Sequence, residues 1–105
     1  MRCLTFFPQA GALLDTGHAH VNGWDIPAVV KALGERLTAC HVHDNDGSGD
    51  AHLPVGQGIL TGRHISVLSK KYAPQATQVF EYCCGFNNTK DLEAHIAELK
   101  AKYKL

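Results

Sequence analysis

The stretch that most constrains this chain spans residues 40–58 and reads CHVHDNDGSGDAHLPVGQG. Three histidines (His41, His43, His52) and three aspartates (Asp44, Asp46, Asp50) crowd into a glycine-broken segment that begins at the end of an apolar run. Imidazole and carboxylate together suit a borderline divalent cation, which makes a metal site the first hypothesis. The ordinary alternative is a polar surface loop, because histidine and aspartate are both common loop residues. The flanking sequence decides between the two.

Residues 11–15 (GALLD) read as a short buried strand whose C-terminal end delivers Asp15 and His18 into a loop. Asp25 is placed to cap a helix with Pro27 in its first turn, Ile26, Val29, Val30 and Leu33 on one face, and Gly34 as its stop. Residues 37–42 (LTACHV) read as a second buried strand with His41 at its end. Thr61 can then cap a helix carrying Ile65, Leu68 and Tyr72 on one face, which Pro74 prevents from continuing. Residues 77–82 (TQVFEY) form a third expected strand with Glu81 at its end. Asn88 caps a last helix with Leu92, Ile96, Leu99 and Tyr103 as its stripe, and Lys100, Lys102 and Lys104 near its negative end.

Strand and helix thus alternate three times, the pattern of an α/β fold with parallel strands and right-handed helical crossovers. One domain portion is expected over residues 11–105, with residues 1–10 as an irregular lead-in that Pro8 keeps from being helical. In such folds functional groups collect at the C-terminal ends of the strands. Asp15, His41 and Glu81 each end a different strand. Each alone has an ordinary reading: a turn-capping aspartate, a half-buried histidine, a surface carboxylate. Their joint occurrence at three separate strand ends is what favours a metal site. His43 and Asp44 are expected to orient those ligands from behind. His20 and His64 are expected in solvent or behind the ligands, and His95 on a helix surface. Gly56 and Gly58 are expected to serve the turn into the next helix.

Ten basic residues balance ten acidic ones, so overall charge attracts neither nucleic acid nor an anionic membrane surface. The apolar runs are too short to cross a bilayer and no signal-peptide pattern stands out, so a cytoplasmic protein is expected. Cys3, Cys40, Cys83 and Cys84 lack the paired spacing of a zinc site, and adjacent cysteines rarely bond each other, so free, partly buried thiols are expected.

Three segments in order, LLDTGHAH (13–20), HVHDNDGSGDAHLPVGQG (41–58) and VFEY (79–82), resemble the xylose isomerase-like TIM barrels, a superfamily of sugar-phosphate isomerases and epimerases that also includes apurinic-site nucleases of the endonuclease IV type. The resemblance implies an incomplete TIM barrel, about three C-terminal βα units, in which Asp15, His41 and Glu81 hold the metal at the ends of the sixth, seventh and eighth strands. Mn²⁺ is the preferred ion for two carboxylates and one imidazole, with Zn²⁺ or Mg²⁺ as alternatives. Catalytic roles fall to Glu81 as acid/base and His18 as a substrate contact. The usual glutamate at the end of the fifth strand has no counterpart here. His18, Asp50 and His52 match the ligands of a further metal in the nuclease branch, while the HDN wording at residues 43–45 leans toward the sugar isomerases. A small sugar or sugar phosphate is therefore the expected substrate, with nucleic acid and membrane disfavoured. The chain is expected to be inactive alone and to need a missing N-terminal half or a second copy; the alternatives are a fragment of an endonuclease IV-like phosphodiesterase and a non-catalytic assembling fragment.

Overall fold

A computed structural model describes residues 9–105, so most of the expected lead-in at 1–10 lies outside the described residues. The strands are β1 (Ala12–Asp15), β2 (Leu37–Val42) and β3 (Thr77–Phe80). The helices are α1 (Thr16–Val21), α2 (Ile26–Leu33), α3 (Gly62–Ser66) and α4 (Thr89–Tyr103), with a 3₁₀ turn at Gly34–Arg36 leading into β2. The strands form one parallel sheet in the order β1-β2-β3.

Helix boundaries follow local chemistry. Asp25 accepts the Ala28 N–H at the start of α2, Pro27 occupies the first turn, and Gly34 ends it at φ 54°. Asn88 does the same for α4 by accepting the Asp91 N–H at 2.8 Å.

Two expectations are corrected here. The residues after Asp15 do not run into a loop but turn at once into α1, because the Asp15 carboxylate accepts the His18 N–H at 2.8 Å and caps the helix; His18 therefore sits on a helical turn. The helix after Thr61 is shorter than its apolar spacing suggests. Ser66, Val67 and Ser69 are weak helix formers, and beyond Ser66 the chain tightens into turns such as Leu68 N–H to Ile65 O and Ser69 N–H to Ser66 O. Ile65 and Leu68 are buried as expected, but Tyr72 is left exposed.

Alternation along the strands divides the sheet into two unlike faces. Leu14, Cys40 and Val42 point toward the helices and join Ile26, Val30, Leu33, Ile65, Leu68 and Leu99 in the core. Burying each of these aliphatic side chains contributes about 1.5–3 kcal/mol against leaving it in water. The opposite face carries Leu13, Ala39 and Thr77 in one row, since Leu13 pairs with Ala39 and Ala39 with Thr77. The next row holds Asp15, His41 and Val79. No helix covers this second face among the described residues, and Leu13 and Val79 are 52% and 42% exposed.

Candidate metal centre

The register places Asp15 beside His41, and the Glu81 N–H donates to Val42 O at 3.1 Å, extending the β2–β3 ladder one step past β3. Three neighbouring strands thereby carry one donor each to the same end and face of the sheet. Asp15, His41 and Glu81 bring one ligand atom apiece within 4.8 Å of one another. His41 Nδ1 lies 3.1 Å from Glu81 Oε2 and 4.0 Å from Asp15 Oδ2. An ion bonded at 2.0–2.2 Å spans ligand edges of about 3.0–3.5 Å, so the His41–Glu81 separation already suits a divalent cation and the His41–Asp15 separation is about half an ångström longer than one needs. Asp15 satisfies both readings of its sequence position at once: Oδ1 caps α1, while Oδ2 faces His41.

A second trio of donors, His43, His52 and Glu81, also falls within 4.8 Å. Ring geometry rules against a shared ion there. The His43 and His52 rings are stacked with centroids 3.8 Å apart and planes 4° from parallel. Imidazole lone pairs lie in the ring plane, so two stacked rings cannot both aim at one ion about 2 Å away.

His43 instead backs the first trio. Its ring is fully buried, with Nε2 2.8 Å from Asp15 Oδ1, yet that approach is out of line for a hydrogen bond and both ring nitrogens lack a partner. A buried imidazole without partners is costly, and it sits against the carboxylate that a cation would draw forward. Gly17 makes this seat possible, because a Cβ there would collide with the His43 ring. Thr16 locks the same corner: its hydroxyl donates to His43 O at 2.8 Å and accepts the His43 N–H at 3.1 Å.

The 44–60 loop is organised by Asp44 more than by its glycines. The buried Asp44 carboxylate accepts four backbone N–H groups, from Asn45, Gly56, Gly58 and Leu60, at 2.8–3.1 Å. Gly58 is required at that spot, since a Cβ would strike the Asp44 carboxylate and Asn45 O. Asp44 thus holds the loop in place from beneath it.

Asp50 and His52 come back over the strand ends. Asp50 Oδ2 accepts from His18 Nε2 at 2.8 Å and lies 3.2 Å from His52 Nε2. Desolvation pushes the Asp50 carboxyl upward, but the hydrogen bonds and charges of His18 and His52 together outweigh it and hold it below its ordinary value. His18 is raised above its usual 6.5, first by the Asp50 hydrogen bond and then by the Asp15 charge. His52 Nδ1 lies 3.1 Å from Glu81 O, and a carbonyl only accepts, so Nδ1 carries the hydrogen. His52 Nε2 faces Asp50 Oδ2 at the other edge of the ring, so the imidazole ties the loop to the end of β3.

Other expected positions shift. His95 is half-buried, not on the surface: its Nε2 meets the Tyr82 hydroxyl at 3.0 Å, and burial lowers its pKa. Tyr82 also accepts the Val55 N–H, and burial pushes its phenol up to about 12, so it is the neutral hydroxyl that donates to His95. This link from α4 to the loop was missed because nothing in the spacing of Tyr82 and His95 announces it. His64 closes a capping box with Thr61 and contacts the His20 ring at 5.5 Å. The described cysteines are free, as expected, but not partly buried: Cys40 is buried, and Cys83 and Cys84 are exposed.

No helix among the described residues is long and apolar enough to cross a membrane. A family model described as a xylose isomerase-like TIM barrel matches residues 4–102. No curated protein and no solved structure matches the chain.

Proposed function

Since the chain belongs to the xylose isomerase-like TIM barrel family, we propose that it is the C-terminal part of a divalent-metal-dependent sugar or sugar-phosphate isomerase or epimerase, with Asp15, His41 and Glu81 as metal ligands. The observation that carries this reading is the convergence of those three donors from adjacent parallel strands to within 4.8 Å of one another. A bound divalent ion supplies Lewis-acid stabilisation for charge developing on neighbouring substrate oxygens, with Mn²⁺ the ion this donor set suits best and Zn²⁺ or Mg²⁺ next.

The chain's own groups account for the rest. Glu81 has two carboxylate oxygens, and the one not engaged by His41 is free to take a proton from a carbon bearing a hydroxyl and return it to the neighbouring carbon. His18 stands on α1 beside the strand ends, where Asp50 holds its ring by one nitrogen and leaves the other to hydrogen-bond a substrate hydroxyl. A closed barrel of this family type has eight strands, whereas the described residues carry three. The chain by itself is therefore a partial site, and we expect it to turn over sugars negligibly without complementary βα units.

The placement of His18 and His52 on either side of one Asp50 oxygen favours a second reading, a phosphodiesterase of the endonuclease IV type that holds an additional ion there. Titration calorimetry with Mn²⁺ and Zn²⁺ separates the two. One ion per chain, lost in the Asp15→Ala, His41→Ala double variant and kept in Asp50→Ala, is the isomerase-type result. A second ion lost in Asp50→Ala points to the nuclease type. Binding that the double variant leaves unchanged sinks the metal assignment.

A further inference from the structure

Beyond the strand-end donors, the segment after Glu81 carries two chemically potent groups that the proposed reaction does not use. Cys83 and Cys84 are both exposed and unoxidised, with their sulfurs 3.2 Å apart. Cys83 Sγ also lies 3.2 Å from Ala51 O. Each thiol has one proton, so when Cys83 donates to Ala51 O, Cys84 donates to Cys83 Sγ. The two side chains are thereby held on the same side of the backbone, although consecutive residues of an extended chain point them apart. Both line a cavity of about 350 Å³ whose other walls include Tyr82, Phe86 and Leu92.

Direct bonding of the two sulfurs is disfavoured. Adjacent Cα atoms are about 3.8 Å apart across a trans peptide, below the roughly 4.4 Å at which disulfides begin to be found. A bridging atom removes that conflict. A centre about 2.3 Å from each sulfur closes a 3.2 Å bite at an angle of about 90°, narrower than the tetrahedral angle of zinc and suited to a three-coordinate pyramidal atom.

We propose that Cys83 and Cys84 form a chelating site for a trivalent, thiophilic metalloid of the organoarsenical class, with the cavity beside them seating its organic substituent. For an aryl arsenoxide, R–As=O, two S–H bonds and the As=O bond break, two As–S bonds form, and the oxygen leaves with both protons as one water. Arsenic stays trivalent and no oxidant or reductant is consumed. The aromatic walls at Tyr82 and Phe86 offer the substituent an apolar contact, and the open side of the cavity admits it. Capture does not need an ion at the strand ends and stands or falls separately from the metal assignment.

The test treats the full chain with one equivalent of phenylarsine oxide under reducing-agent-free conditions and reads intact mass. The expected product is a single adduct with loss of one water, stable to excess monothiol and removed by 2,3-dimercaptopropanol. Cys83→Ser and Cys84→Ser, tested separately, each reduce the monothiol-resistant adduct at least tenfold, while Cys3→Ser retains it. Both serine variants lie at exposed positions, and a circular dichroism spectrum matching the parent chain certifies each as folded. An adduct that persists in either serine variant, or no monothiol-resistant adduct on the parent chain, overturns the proposal.

Discussion

At the scale of single residues, Asp44 and His18 make opposite use of charge. Asp44 is buried and accepts four backbone N–H groups, so its removal orphans four donors in the loop that crosses the strand ends. Hydrogen bonds to a charged group are worth about 1.5–3 kcal/mol each before water refills the space. Asp44→Ala is accordingly expected to lower unfolding free energy by about 3 kcal/mol, measured as a fall in urea midpoint at unchanged slope. A loss below about 1 kcal/mol would show that the carboxylate is not the loop's anchor. His18 sits in the open, and its effect is on protonation more than on stability. Its pKa is raised in the folded chain, so whatever stabilisation its charge brings is fully present below 6.5 and disappears as pH rises through the folded-state value. In metal-free protein the His18 ring protons should titrate above 6.5 by NMR. Asp50→Asn should bring the midpoint down, because the Asp50 hydrogen bond is the largest cause of the shift.

At the scale of elements, what could be read from the chain was whatever local chemistry alone determines. Residues 37–42 form β2 with the expected bounds, because an apolar β-prone run between charges and aspartates has no competing structure. Asn88 and Asp25 cap the helices they were expected to cap, since an N-cap acts within three residues. The same short range predicts a cost of about 1 kcal/mol for Asn88→Ala, read from thermal or urea unfolding. Two elements escaped for complementary reasons. The turn at Thr16 into α1 depends on the Asp15 cap, and the residues it starts, TGHAHV, carry no apolar period that marks a helix. The helix after Thr61 looked longer than it is because Tyr72 continues the apolar period, whereas serine and Val67 weaken the helix and the Lys70 N–H is taken by Lys104 O at the end of α4. Long-range contacts such as Tyr82 with His95, thirteen residues apart, leave no local trace. Burial lowers His95 below its ordinary 6.5, so its contribution is present above 6.5 and lost as pH falls through the folded value. Tyr82→Phe should remove the hydrogen bond at a cost of about 1 kcal/mol and raise the His95 titration midpoint, observable in the same NMR series. The candidate site was legible to the same degree: Asp15, His41 and Glu81 stood at strand ends in the text, and parallel register then carries strand ends together. Asp44 as the loop's hydrogen-bond hub and the unpartnered ring of His43 were not legible, because both depend on what lies beneath a folded loop.

At the scale of the whole molecule, the sheet poses a problem that its own residues do not solve. One face is packed by helices, and the other offers to water Val79, in the row of Asp15 and His41, and Leu13 in the row beneath. Among the described residues β1 and β3 each pair on a single side, so the sheet they form has two open edges. Unpaired parallel edges with an apolar face favour pairing with another chain. In a closed barrel the same face would be the packed interior and both edges would be consumed. The isolated 105-residue chain is therefore expected to self-associate in a concentration-dependent manner, and sedimentation velocity over a dilution series should resolve species larger than one chain. Leu13→Lys with Val79→Lys places two like charges in adjacent rows of that face and should shift the population to monomer without moving the far-UV dichroism. A parent chain that stays monomeric at every concentration, and fails to bind a hydrophobic dye, would mean that some other part of the chain covers the face. The candidate donors lie at the rim of this surface, so any chain that completes the sheet also walls them from solvent. That ties assembly to chemistry: ion affinity should rise on association if the covering chain adds a fourth ligand, and calorimetry of the parent beside the double-lysine variant measures the difference directly.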